Sequence, residues 1–360
     1  MTTPLLFALG SNGSSQLGIG HASDVSVPKP VLLPTPPPSV SKITAGGNHT
    51  LLLTTSGTLL CAGDRTSGAC GPSPPCPSAD SEFLPLHHPD LPPVSLVAAT
   101  WEASFAVSED GRGLYAFGTG MKGELGLGPL IFRTAVPALV PDFPPPGTTI
   151  VDLAASMAHV VAVLSDGTVW GWGAARKGQL GGDEQTAVVD VPRRVEGVGF
   201  RVERAVCGRE FTVLFGEGEF VVLGSDKWGV KSKAPAKEEV RGWRDVGAGW
   251  SNVYVLRGDG RVVSWGRDDQ GQLAPGDLPP AVKMAVGSEH ALVLTEGGDV
   301  TAWGWGEHGN CGPVGGEGPG KGQRNIIASS KYVPEGAKIT AIGAGCATSW
   351  VAIEMPTPPT

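Results

Sequence analysis

The stretch HVVAVLSDGTVWGWG, residues 159–173, decides the fold. It holds an apolar run from His159 to Leu164, an Asp166-Gly167 turn, and a second apolar run ending in Trp172-Gly173. Two apolar runs around Asp-Gly predict an antiparallel hairpin of about five residues a side. The dipeptide is read as a type I′ turn, in which both central residues take positive φ. One such hairpin cannot bury its face alone, so copies of it are expected elsewhere in the chain.

Six further copies are present. The Trp-Gly position recurs as Leu9-Gly10, Ala62-Gly63, Phe117-Gly118, Leu223-Gly224, Trp265-Gly266 and Trp303-Gly304, at intervals of 53, 55, 55, 51, 42 and 38 residues once Trp172-Gly173 is included. A second glycine usually follows five positions on, as at Gly68, Gly123 and Gly309. The other half reads A-x-G-x-x-H-T before a short apolar strand, as in TAGGNHTLLL (44–53), AASMAHVVAV (154–163) and VGSEHALVL (286–294). The His column holds His49, Ala103, His159, Phe211, Asn252, His290 and Thr348.

Composition agrees with a chain built from turns. Of 360 residues, 54 are Gly and 32 are Pro, against average shares of roughly 7% and 5%. Gly and Pro are costly in helix interiors, which argues against a helical protein. A 41% hydrophobic content with ten Trp argues equally against disorder. The net charge of −8 weighs against a phosphate-backbone binder, so no direct DNA partner is expected. No apolar run approaches a membrane span of about 18 residues, and the N-terminal residues lack a secretory pattern. The six cysteines form no C-x-x-C pair and are expected to be scattered reduced thiols, with the protein in cytoplasm and nucleus.

The order of the halves predicts closure. The chain opens on a Trp-Gly half with no His half before it, and ends on a His half, Ala337 to Glu354, with none after it. Together the two complete one unit, and pairing them would remove a sheet edge. The expectation is an all-β, seven-bladed β-propeller, one domain over residues 1–360, closed by its N- and C-terminal segments. Insertions are placed near 71–93, 128–147 and 312–336, and a disordered tail at 355–360.

These paired signatures resemble the regulator of chromosome condensation repeat proteins over essentially the whole chain. No Trp precedes Asp, which separates the repeat from the WD type; six of ten Trp precede Gly. The opening FALGSNGSSQLGIGHASDVSVPKPV further resembles a fungal branch of the family, the alpha-tubulin suppressor proteins. That resemblance implies a heterodimer with a small metal-binding (zinc or iron) protein of the diphthamide and Elongator pathway. The pair would support tRNA wobble-uridine modification and diphthamide synthesis. The founding member implies an alternative, guanine nucleotide exchange on a small GTPase. Its basic chromatin-binding tail is not expected here.

Residues of chemistry-bearing type mostly belong to the repeat. Gly118-Thr-Gly120-Met-Lys-Gly123 and Gly304-Trp-Gly306-Glu-His-Gly309 match a dinucleotide fingerprint, but neither is expected to open a helix. Gly315 to Lys321 gives G-x-x-x-x-G-K with Gly322 where a phosphate loop needs Ser or Thr. The column histidines are read as hydrogen-bonding core groups, and no triad spacing is found. The expectation is a non-enzymatic binding module with no cofactor and no metal.

The loops before the His column should form one face around the axis. Trp, Met and Arg in them are anchor types at interfaces. The candidate partner-binding residues are Trp101, Glu102, Met157, Arg209, Glu210, Trp250 and Glu289, with Trp228 and Trp305 from the loops after the Trp-Gly strand. For Trp101 and Trp250 the competing reading is burial between blades.

Overall fold

Each His half and the Trp-Gly half that follows it pair as neighbouring strands. In blade 4 the meander runs outward from the axis through Ile150–Ser156, His159–Leu164, Val169–Ala174 and Val188–Arg194. Its register sets His159 opposite Gly173 and Val160 opposite Trp172. The computed structural model describes residues 2–72, 81–182, 186–313 and 322–356. Seven such sheets form an all-β propeller, five of them four-stranded and two three-stranded among the described residues. Blades 5 and 6 lack the outer strand, which accounts for the short intervals after Leu223-Gly224 and Trp265-Gly266.

Blade 1 closes the ring. Thr2–Gly10 lies between Thr348–Pro356 and Val25–Pro30, in unbroken register from Thr2 opposite Pro356 to Gly10 opposite Thr348. Met355 and Pro356 therefore belong to a strand and not to the expected disordered tail, because Thr3 and Thr2 supply their ladder partners. Residues 357–360 of that tail lie outside the described residues.

The three insertions also carry ordered strands. Leu84–Pro85, Arg133–Leu139 and Asn325–Ser329 are the outer strands of blades 2, 3 and 7. Residues 73–80 and 314–321, with Cys76 and the Gly315–Lys321 motif, lie outside the described residues. Outer strands in blades 1 to 4 carry Pro28, Pro85, Pro137 and Pro192. Proline removes a ladder donor, so these rims resist edge-to-edge pairing.

Two expectations are corrected. In the Asp-Gly turns positive φ falls on Gly111, Gly167 and Gly260 and not on the aspartates. The Gly167 N–H donates to Leu164 O (2.8 Å), and Asp166 Oδ1 accepts from the N–H and hydroxyl of Thr168 (2.9 and 2.7 Å). This is a type I turn followed by a left-handed glycine, and the Asp side chain is what sets it. The cysteines are not all reduced either: Cys61 and Cys70 form a disulfide. The loop after Leu59–Gly63 returns Cys70 to a Cα separation of 5.3 Å, within bridging range.

Contacts between blades recur with the repeat. The Trp172 indole donates to Glu124 O in the preceding blade (2.7 Å), Trp265 to Val230 O (2.9 Å) and Trp303 to Gln272 O (3.0 Å). In the His column, His49 Nε2 lies 2.9 Å from the Ser104 hydroxyl, His159 Nε2 3.1 Å from Thr212 and His290 Nε2 3.0 Å from Ser349. Each bond spans two blades. Burial pushes all three imidazoles down to about 4, so they are neutral near pH 7.

Glycine makes these contacts possible in two ways. In the Trp-Gly column φ is positive in all seven copies, from +98° at Gly173 to +115° at Gly266. A Cβ on Gly173 would also sit 2.4 Å from Ala158 O. In the A-x-G column the need is space, since a Cβ on Gly287 would meet the His290 ring at 2.3 Å. Gly173→Ala and Gly287→Ala are each expected to cost at least about 2 kcal/mol in chemical denaturation. Gly276→Ala, with nothing within 4 Å, should stay within about 0.5 kcal/mol.

The histidines give a second prediction. Between pH 6.5 and about 4 the unfolded chain binds protons that the folded chain excludes, so stability falls as pH drops through that window. The loss is up to roughly 3 kcal/mol per histidine. A His159→Asn/His290→Asn variant, which copies Asn252 of blade 6, should show a flatter decline of melting temperature with acid. An unchanged slope would place the sensitivity elsewhere.

Candidate functional site

Because the His column lies opposite the Trp-Gly glycine, the loops before the one and after the other emerge at the same end of each blade. The backbone ties them together. Ser225 N–H donates to Glu210 O, Arg267 N–H to Ser251 O and Trp305 N–H to Glu289 O, at 2.9 to 3.0 Å. Neighbouring blades join in the same way: Trp101 N–H to Met157 O (3.0 Å), Arg209 N–H to Trp250 O (2.9 Å) and Trp250 N–H to Ser288 O (2.7 Å). The outer loops are held by their own side chains, as where Gln179 and Gln272 accept from the N–H groups of Lys177 and Gln270 (2.9 Å each). The face is a set of rigid loops on a closed ring.

All nine predicted residues line two adjoining cavities on this face. One, of about 440 Å³, gathers Arg209, Glu210, Trp228, Trp250, Glu289 and Trp305 from blades 5, 6 and 7. The other, of about 640 Å³, gathers Trp101, Glu102 and Met157 from blades 3 and 4, and Arg209 and Glu210 form part of its wall too. The two share one rim. Trp101 and Trp250 are not buried between blades. They come from opposite sides of the ring and meet over the axis, with ring centroids 5.9 Å apart, at the mouth of a channel of about 140 Å³.

The first cavity has the more developed chemistry. Trp228 and Trp305 are each 41% exposed, which is high for indole. Trp228 holds φ at +69°, a conformation that costs about 1–3 kcal/mol outside glycine and concentrates at functional sites. The Arg267 guanidinium stacks 4.9 Å from the centre of its ring. Arg267 is itself fixed by Asp269 (2.5 and 2.7 Å) and by Glu289 (3.1 Å), while Glu289 also accepts from Gln272 (2.9 Å). Burial raises the Glu289 carboxyl, and the Gln272 and Arg267 contacts work against that rise. The hydrogen bond to Asp269 holds the guanidinium above its ordinary value, so Arg267 stays charged.

Sequence reasoning missed Arg267 and Lys227, and Met121, Lys122, Arg176 and Lys177 in the second cavity. Arg267 had a signal. It directly follows Gly266, in the column that holds Ser11, Asp64, Thr119, Ala174, Ser225 and Trp305 in the other blades. Only Arg and Trp there are large enough to reach across the loop. Among the described residues the three free cysteines offer no nucleophile, since burial pushes the thiols of Cys207 and Cys346 up and that of Cys311 up to about 12.

Comparison with known proteins places this geometry. An RCC1 repeat-containing protein of Schizosaccharomyces pombe is 32% identical, over 97% of this chain and 99% of its own length. The secretion-regulating guanine nucleotide exchange factor of Bos taurus is 28% identical over 86% of this chain and 76% of its own length. The solved structure of Prp20p from Saccharomyces cerevisiae, 22% identical, superposes with a TM-score of 0.81 over 99% of this chain and 92% of that one. The family model described as the RCC1-like domain matches residues 5–351, and the chain belongs to that family.

Proposed function

We propose that the protein is a protein-binding propeller that seats a small GTPase on the loop face and acts as its guanine nucleotide exchange factor. The observation that carries the binding face is the joined pair of cavities, with two exposed tryptophans, one of them in a strained backbone. Exposed aromatic anchors on rigid loops are what interface hot spots are made of. Exchange activity is supported by the name of the Bos taurus relative and by the exchange reaction that the family resemblance implies. Exchange needs no covalent chemistry from the propeller. It needs tighter binding to the nucleotide-free partner than to the loaded one.

A second reading keeps the same face and changes the partner. The resemblance of the opening segment FALGSNGSSQLGIGHASDVSVPKPV to the fungal branch of the family supports pairing with a small metal-binding protein. That pair would serve Elongator-dependent tRNA wobble-uridine modification and diphthamide synthesis. Purified protein should accelerate release of a fluorescent guanine nucleotide from a small GTPase under the first reading. Under the second it should leave release unchanged and form a stable one-to-one complex with the metal protein. Under both, Trp228→Ala/Trp305→Ala should weaken partner binding by about 2 kcal/mol or more at unchanged melting temperature. Wild-type affinity in that variant would remove the face from the account.

A further inference from the structure

The charge on the loop face runs against that of the chain. The whole sequence carries −8, yet the two cavities are lined by Lys122, Arg176, Lys177, Arg209, Lys227 and Arg267. The same cavities hold four acids, Glu102, Glu124, Glu210 and Glu289, so six cations face four carboxylates, two of which are engaged within the protein. Glu289 is buried against Arg267 and Gln272, and the Glu124 carboxylate accepts from the Lys122 N–H (2.6 Å). Asp226, beside Lys227, is turned onto the N–H groups of Lys231 and Ser232 (2.7 and 2.9 Å). Arg209 and Lys227 are exposed and form no ion pair with a carboxylate among the described residues. Between these cations stand apolar walls: Trp228, Trp250 and Trp305 on one side, Trp101, Met121 and Met157 on the other.

We infer that the two cavities form one groove for an acidic polypeptide segment that carries apolar anchors. Its carboxylates pair with Arg209 and Lys227 at the shared rim, and its apolar side chains enter the tryptophan- and methionine-lined pockets. Arg267 contributes a flat stacking surface, because its charge is already matched by Asp269 and Glu289. Nucleic acid is disfavoured because the pocket walled by Met121 and Met157 suits aliphatic side chains, which a nucleic acid lacks. This inference rests on the proposed binding face and adds the chemistry of what docks there.

The probe is a fluorescein-labelled Asp/Glu-rich peptide with one Leu and one Phe, followed by anisotropy on the full chain. Binding should weaken several-fold between about 50 and about 300 mM NaCl. It should fall about tenfold or more in Arg209→Glu/Lys227→Glu, and similarly when Leu and Phe are replaced by Ser. Circular dichroism and melting of the variant should match wild type, both changes being on exposed side chains. Equal binding of a Lys-rich version, or tighter binding of single-stranded polyuridine RNA, would overturn the inference. If Trp228→Ala/Trp305→Ala loses the partner while the acidic peptide fails to compete for it, the acidic segment is wrong and the binding face stands.

Discussion

One contact is repeated in every blade and orders the rest: a main-chain carbonyl pressed against the glycine of the Trp-Gly pair. The carbonyl belongs to the residue before the His column, and a Cβ on the glycine would lie 2.3 to 2.6 Å from it in all seven copies. Only glycine accepts both that approach and the positive φ. The same carbonyl takes the N–H of the residue after the glycine, as in Ala174 to Ala158 (2.7 Å) and Ser11 to Ala347 (2.8 Å). Two loops of each blade are thereby fastened at one end of the sheet. A single face carrying two fastened loops from each blade follows from a requirement of the fold.

The ring then makes the face rigid. Indole-to-carbonyl bonds and His–Ser or His–Thr bonds join successive blades, each worth about 1 kcal/mol and many acting together. The nine-residue pairing of Thr2–Gly10 with Thr348–Pro356 leaves no free start from which the ring could open. Such a frame can hold Trp228 in a left-handed conformation, because the hydrogen bonds around it determine the backbone more strongly than the side chain resists.

Most of this architecture was legible in the sequence because the constraint is written in glycine, and glycine recurs where the backbone demands it. Features without such a mark were not. Outer strands such as Arg133–Leu139 pair on one side only and tolerate Pro137, so they read as insertions. The turn type was misjudged because the Asp side chain, not its φ, shapes the turn. The Cys61–Cys70 bridge depends on how a loop returns to its strand, which spacing does not express. The candidate residues are side chains larger than their loops need, and Arg267 is one of them, in the same column as Trp305. A charged side chain on a loop also reads as solvated, which hides the stacked guanidinium from the sequence.

The central claim is that one end of the propeller, the glycine-fastened loop face, is where a protein partner sits. A photo-crosslinking phenylalanine analogue at position 305, compared with the same analogue at position 261, tests it most directly. Trp305 is on the loop face, and Arg261 is an exposed residue of the Asp259-Gly260 turn at the opposite end of its blade. Irradiation in native cells should give a discrete protein adduct from position 305 and none from position 261. Adducts from position 261 alone would contradict the account.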